Sequence, residues 1–222
     1  MKIKFLPILT LAVVLTAMVS CKDNKHETEA GEAEMAAESS MKASKFMLDP
    51  EASIIHWEGN KPTGTHTGTI KLESGVIKME GDSLSGTFLI DMTTITDTDL
   101  EGDQKTDLEQ HLKGTVKGKE GDFFDVQKFP TAAFEITDVM EEGGKKMLEG
   151  NLTIKDSKNN ISFPVTYTVD GDMMSLKSEP FTIDRTKWNV NYGSKTVFDD
   201  LGDKFISDDI QLIIDVVAKK QM

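Results

Sequence analysis

From Phe46 to the C-terminus apolar and polar residues alternate with period two, and that pattern restricts the chain to half-buried β-strands. The clearest run is Ile161-Ser162-Phe163-Pro164-Val165-Thr166-Tyr167-Thr168-Val169, in which five apolar side chains share one face and Ser, Pro and Thr occupy the other. Pro164 has no amide proton, so this strand is expected at a sheet edge or at a local irregularity. Leu148, Leu152 and Ile154 alternate with Glu149, Asn151, Thr153 and Lys155, with Gly150 on the apolar face. Further strand-like runs are Ile54 to Trp57, Thr69 to Leu72, Val76 to Met79, Leu84 to Met92, Phe134 to Ile136, Met173 to Ile183 and Ile206 to Ala218. Turns are expected at Glu141 to Lys146, where Gly143 and Gly144 can take positive φ, at Asp156 to Asn160 and at Asp170 to Asp172.

One segment departs from this rhythm. Leu100 to Lys113 is rich in helix formers, with Asp103 or Thr106 as candidate N-caps and Gly114 as the stop. Many short strands with hairpin turns and a single helix predict one all-β domain over residues 46–222, either a closed barrel or a sandwich.

The first 45 residues are of a different kind. Lys2 and Lys4 precede the apolar run Phe5 to Val19, which is too short for a comfortable permanent span, so residues 1–20 are expected to be a secretory signal. Cys21 follows at once and is the only cysteine, so no intramolecular disulfide can form. Met18-Val19-Ser20-Cys21 resembles a bacterial lipobox, with Met where Leu is usual; the alternative is an ordinary cleaved signal and an incidental cysteine. On the first reading Cys21 is the lipidated residue, and the protein is exported and held at a membrane, facing the periplasm or cell surface, by more than one acyl chain. Residues 22–45 carry Glu27, Glu29, Glu32, Glu34 and Glu38 and no aromatic or β-branched aliphatic residue. Such a segment buries too little to offset its ordering entropy, so 21–45 is expected to be a disordered acidic tether.

The net charge is -13, and loss of Lys2 and Lys4 with the signal takes it to -15. That balance argues against nucleic acid and against electrostatic docking on anionic lipid, both of which need a basic face. Nothing in the pattern bears on oligomeric state.

The letters Gly81-Asp82-Ser83-Leu84-Ser85 match the motif around the nucleophile of one lipase and esterase family. There the motif ends a strand and opens a helix; here Gly86 to Ile90 continue as a strand. Leu84, Phe88 and Ile90 share one face, which turns Ser83 and Ser85 to the polar one. The histidines are His26, His56, His66 and His111, and the one Asp-x-x-His, Asp23 to His26, lies upstream in the tether. A serine without a positioned base is only a hydroxyl, so no catalytic residue is expected and Gly81-Asp82 is expected to be a hairpin turn. No close-spaced His, Cys or carboxylate set of the kind zinc needs is present, so no metal site and no cofactor are expected. Of His56 and Trp57, neighbours on a strand, one is expected to be buried and the other to lie on the polar rim.

The stretch Asp122-Phe123-Phe124-Asp125-Val126-Gln127-Lys128-Phe129-Pro130-Thr131-Ala132-Ala133-Phe134, preceded by His111-Leu112-Lys113, resembles the YceI-like family. Further similarities follow in the family's order: Trp57, Gly64-x-His66-x-Gly68, Gly86 to Asp91, Gly150 to Ile154 and Thr182 to Arg185, together covering about residues 46 to 218. Two departures stand out. Gly114 to Gly121 insert several residues between the two core motifs, and Asp156 to Asn160 replace the family's usual turn.

The resemblance implies an extended, lipocalin-like, eight-stranded antiparallel β-barrel with one short helix. It also implies a noncatalytic role in binding, storing or transporting a polyisoprenoid or other long-chain amphiphilic lipid. The alternative is an envelope-anchored interaction or stress-response module whose barrel is filled. A barrel of this size can either fill with side chains or hold one ligand. Expected lining residues are Phe88, Ile90, Phe134, Ile136, Leu152, Ile154, Phe163, Val165, Tyr167, Phe181, Ile183 and Leu212. Phe123, Phe124 and Phe129 are candidates to plug one end. His111, Lys113 and Arg185 are candidates for a polar head group, against the plainer reading of a solvated helix face and an arginine paired with Asp184.

Overall fold

The alternating segments form ten antiparallel strands, the first of them not among the runs named above, and the computed structural model, which describes residues 28–221, closes them into one sheet. The strands are β1 (Ser44–Leu48), β2 (Ile54–Lys61), β3 (Gly64–Glu80), β4 (Ser83–Asp97), β5 (Thr131–Glu142), β6 (Lys145–Ile154), β7 (Ser157–Asp170), β8 (Met173–Ser178), β9 (Phe181–Asp184) and β10 (Asp209–Lys220). Helix α1 (Gly102–Lys113) lies in the connection between β4 and β5. The signal segment, Cys21 and His26 lie outside the described residues.

Ten strands make an eight-strand ring because two positions are each shared by a pair. Along one flank of β10, Ile210 to Asp215 pair with β2 and Ala218 to Lys220 with β1. Along the other, Asp209 to Leu212 pair with β9 and Asp215 to Lys219 with β8. Neighbours β2 through β8 then pair in sequence order, so the ring has no free edge, and closure removes the hazard an unpaired strand presents.

Several local expectations are refined. Thr69 to Leu72 and Val76 to Met79 are one long strand, β3, with irregular register at two points. Met173 to Ile183 is broken into β8 and β9 at Glu179-Pro180. Pro164 sits beside that break: its carbonyl accepts from the Glu179 amide, so its missing N–H falls where the neighbouring strand is interrupted. Ser157 to Asn160 belong to β7, and the turn before them is tighter than expected because Lys155 adopts φ 55°. Helix α1 is stopped by Gly114 in the left-handed region, φ 68°, as its sequence predicts. Its N-cap, however, is Glu101, without a side-chain cap, and Thr106 hydrogen-bonds back to the Gly102 carbonyl.

The two ends of the barrel differ. At one end three short hairpins, β3–β4, β5–β6 and β7–β8, turn on Gly81, Gly143-Gly144 and Gly171, all with positive φ. At the other lie α1, the β2–β3 hairpin and the long segment 185–208 between β9 and β10.

Inside, aromatic rings lie over glycines on neighbouring strands. A Cβ on Gly68 would fall 2.3 Å from Trp57 Cζ2, and one on Gly150 would fall 2.2 Å from Phe134 Cζ. The hairpin half is solidly packed. Phe163 stacks on Phe181 with centroids 4.2 Å apart, Phe134 lies 5.6 Å from Phe163, and Ile77, Ile136, Leu148 and Met174 are completely or almost completely buried around them.

The expectation of a disordered tether is corrected for the described residues from Thr28 onward. That segment lies as a strap along the outside of the wall: the Thr28 amide donates to Thr182 O, Gly31 pairs with Asn160, and the Ala37 amide donates to Ile136 O. Asn151 makes the central contact. Its side-chain amide accepts from the Glu34 amide at 2.9 Å and donates to the Glu34 carbonyl at 2.7 Å, as a strand partner would. Composition failed here because the segment supplies almost no apolar burial; it is held by backbone groups that find partners on an already folded barrel. Ser85, expected on a solvated face, is buried, and strap residues Ala36, Ala37 and Ser39 share its groove on the outer wall.

Candidate functional site

The long-loop end of the barrel is hollow. A cavity of about 240 Å³ lies between the packed half and α1, walled by inward positions of β2 (Ile55, Trp57), β4 (Ile90, Met92, Ile95), β6 (Leu152, Ile154) and β10 (Ile210, Leu212). Leu108 and Leu112 of α1 and Phe123 and Phe124 of the following segment also line it, and His66, His111 and Arg185 add polar groups.

The motif Asp122 to Val126 shapes this wall through its backbone. Phe123 and Asp125 take left-handed conformations, φ 49° and 47°, at a cost of roughly 1–2 kcal/mol each for residues with a Cβ. The Phe124 and Val126 amides donate to the Leu112 and Lys113 carbonyls at the end of α1. The resulting turn buries Phe123, whose ring makes edge contact with His111 at 5.2 Å. His111 Nε2 lies 2.9 Å from Asp122 Oδ2, and its ring meets Tyr192 at 4.5 Å.

Arg185 reaches the same wall but is committed elsewhere. Its Nε donates to Ser207 O, Nη1 to Val190 O and Nη2 to Ile206 O, with Asp208 Oδ1 at 3.5 Å. Burial pushes its pKa down, opposed by Asp208 and Asp184. The guanidinium therefore braces the segment 185–208 from within, and the expected surface pairing with Asp184 is replaced by a buried clamp on backbone carbonyls.

Of the twelve expected lining residues, Ile90, Leu152, Ile154, Ile183 and Leu212 line the cavity. Phe88, Phe134, Ile136, Phe163, Val165 and Phe181 also point inward but are buried in core outside that lining. Tyr167 does not line it: its hydroxyl donates to Asp82 O and accepts from Lys146 Nζ, joining two hairpins. The hydrogen bonds from Lys146 Nζ, to Asp82 first and then to Tyr167, raise the lysine pKa to about 12. Of the head-group candidates, His111 and Arg185 border the cavity; Lys113 is outside it, 4.0 Å from Glu109 on the helix surface. Phe123 and Phe124 close part of one end, whereas Phe129 lies outside, under Lys128.

Trp57 is buried and His56 exposed, resolving that pair. The Trp57 indole Nε1 is buried without a hydrogen-bond partner. Ser83, at the exposed start of β4, is followed by strand and not helix, unlike the nucleophile it resembles by letter.

Sequence spacing missed two features. Val190 comes from the segment 185–208, which has no periodicity to mark it, and Ile206, expected at the start of the last strand, lies in the same segment because β10 begins only at Asp209. The expectation of no metal-ligand set rested on close spacing, whereas folding brings one ligand atom from each of His66, Asp97 and Asp99 within 4.8 Å of one another.

A closed antiparallel barrel with an apolar internal chamber under a helix defines the class of lipocalin-like barrels. The YceI-like domain model matches residues 46–218, and the chain belongs to the YceI-like family. Among solved structures, Burkholderia cenocepacia BcnA superposes with TM-score 0.61 at 22% identity, over 78% of this chain and 99% of that one. A polyisoprenoid binding domain from Saccharophagus degradans, implicated in plant cell wall breakdown, superposes with TM-score 0.59 at 14% identity, over 79% of this chain and 98% of that one. These likenesses establish the shared fold. No curated protein sequence matches the chain.

Proposed function

We propose that this protein binds, without chemical conversion, the apolar end of a prenyl or similar long-chain amphiphile at the bacterial cell envelope. The observation that carries the reading is the apolar cavity of about 240 Å³ at the long-loop end. A dry cavity of about 150 Å³ accepts a six-carbon ring, so one of this size takes about ten carbons, or two isoprene units. Each unit contributes roughly 3–4 kcal/mol gross on leaving water. Eight units would give ~30 kcal/mol, beyond the practical ceiling of about 18–21. Since the ligand's alternative is the bilayer, most of that gain cancels, and a carrier that holds only a chain end exchanges readily. The polyisoprenoid-binding domain of the same fold supports the ligand class.

The envelope location rests on the lipobox resemblance at Cys21. Seven peptide steps from Cys21 to Thr28 reach at most about 25 Å. Thr28 is bonded to Thr182, next to the cavity-lining Ile183, so lipidation would hold the cavity end close to the membrane. The scaffold alternative draws on the filled hairpin half, but it leaves the cavity without a role.

The test is native mass spectrometry of the full chain extracted from membranes, paired with titration by geraniol, a two-unit prenyl alcohol. A co-purified apolar-chain amphiphile, and geraniol binding lost in Ala132→Phe with the circular dichroism unchanged, are expected. An empty barrel that takes up no geraniol would overturn the reading.

A further inference from the structure

The His66–Asp97–Asp99 cluster stands on the β3–β4 side of the barrel, and His66 belongs to the cavity wall. Its two carboxylates are held in the same manner. Asp97 Oδ1 accepts the amides of Asp99 at 3.2 Å and Leu100 at 2.7 Å, and Asp99 Oδ1 accepts the Thr67 amide. Backbone donors thus fix one oxygen of each group and leave Oδ2 for another purpose. Asp99 Oδ2 uses its own on His66 Nδ1, 3.0 Å away.

Asp97 Oδ2 has no use among the described residues. Asp97 is completely buried, and this oxygen has no hydrogen-bond partner. Such an atom is costly, since a buried polar group without a partner loses its full solvation. What would satisfy it is a positive centre placed between Asp97 and the His66–Asp99 pair.

We propose that His66, Asp97 and Asp99 form a binding site for one divalent first-row transition ion of the zinc type. Three arguments select that class. The imidazole nitrogen favours zinc, iron, nickel or copper over calcium and magnesium, which take oxygen ligands. Two carboxylates neutralise a double positive charge, and one of them, Asp97, is wholly buried, where an uncompensated charge is costly. Three protein ligands leave a coordination position open, as in zinc sites that engage an outside molecule. The 3.0 Å separation of His66 Nδ1 from Asp99 Oδ2 is a few tenths of an ångström short of the roughly 3.4 Å between ligand atoms of a tetrahedral ion with bonds of about 2.1 Å, so the two side chains would part slightly as the ion takes the place of the hydrogen between them. Asp99 and His66 are partly exposed, whereas Asp97 is wholly buried. The site does not depend on what occupies the apolar cavity.

The test uses the full chain without an affinity tag, purified in detergent and stripped with a chelator. Cobalt(II) is titrated by its visible absorption and displaced with zinc. The expected result is one ion per chain, with His66→Gln and Asp99→Asn each weakening binding at least tenfold while circular dichroism is unchanged. Asp97→Asn is expected to abolish binding; should that variant fail to fold, the two partly exposed positions still decide. Sub-stoichiometric uptake, or affinity unmoved by both His66→Gln and Asp99→Asn, would overturn the proposal.

Discussion

Replacing Phe163 by Ala tests whether the stacked aromatic pair sets the floor of the cavity. Phe163 is 1% exposed, lies flat on Phe181 and touches the layer of Phe134, so removing its ring leaves a void in rigid core. The cost should be about 3–5 kcal/mol of stability. A double-mutant cycle with Phe181→Ala should recover about 0.5–1.5 kcal/mol of that as ring–ring coupling. Six ring carbons vacate space beside the chamber. At the same ratio of volume to carbon the variant should take a chain about one isoprene unit longer, some fifteen carbons where the wild type takes about ten. Burial of that third unit is worth roughly 3–4 kcal/mol gross, so preference should move toward the longer alcohol by tenfold or more. Urea unfolding followed by tryptophan fluorescence reads the stability. Competition between prenyl alcohols of two, three and four units, scored by native mass spectrometry, reads the length. A variant whose preference between the two-unit and three-unit alcohols is unchanged from the wild type would refute the argument.

Further outcomes follow from other contacts. Gly68→Ala should cost about 3 kcal/mol or more, because the new Cβ would stand 2.0 Å from Thr96 O and 2.3 Å from Trp57 Cζ2; denaturant titration checks it. Asn151→Ala removes both bonds to Glu34 and should free the strap at a cost of about 2–3 kcal/mol, seen as faster hydrogen exchange at the Glu34 and Ala37 amides with the barrel still protected. Glu149 has its pKa raised above 4.5, by burial first and then by Glu34 of the strap and Asp138. Its ionised form therefore works against strap docking at neutral pH, and that penalty is relieved as pH falls through the raised pKa. Glu149→Gln should remove this pH dependence of exchange at Glu34; an unchanged profile would count against the coupling. Cys21→Ala should release the protein from membranes on cell fractionation, and unchanged retention would count against lipidation.

Much of the fold was legible because alternation is a local record of a two-sided environment. Leu148, Leu152 and Ile154 of β6 and Ile161, Phe163 and Val165 of β7 turned inward as their period requires, whereas Tyr167 and Val169 lie beyond the core near the β7–β8 hairpin; Gly114 and the hairpin glycines announced their turns through backbone conformations that other residues resist. The strap was not legible, because its stability comes from Asn151, Asn160 and open backbone groups far along the chain, not from its own side chains.

The sequence by itself determined the class: period two made strands, hairpin chemistry joined them, and the motifs from Trp57 to Arg185 marked the family. It also determined which side chains face the interior. Only the tertiary structure decided what that interior is. Ile154 and Phe163 read alike as inward apolar residues, yet one borders a cavity and the other fills the core. Period two reports a face and carries no information about height along the barrel. Height is set by strand stagger around the ring and by what the segments at each end insert. For the same reason His66, Asp97 and Asp99 meet only in space: strand register, which no spacing rule along the chain encodes, brings β3 and the end of β4 together.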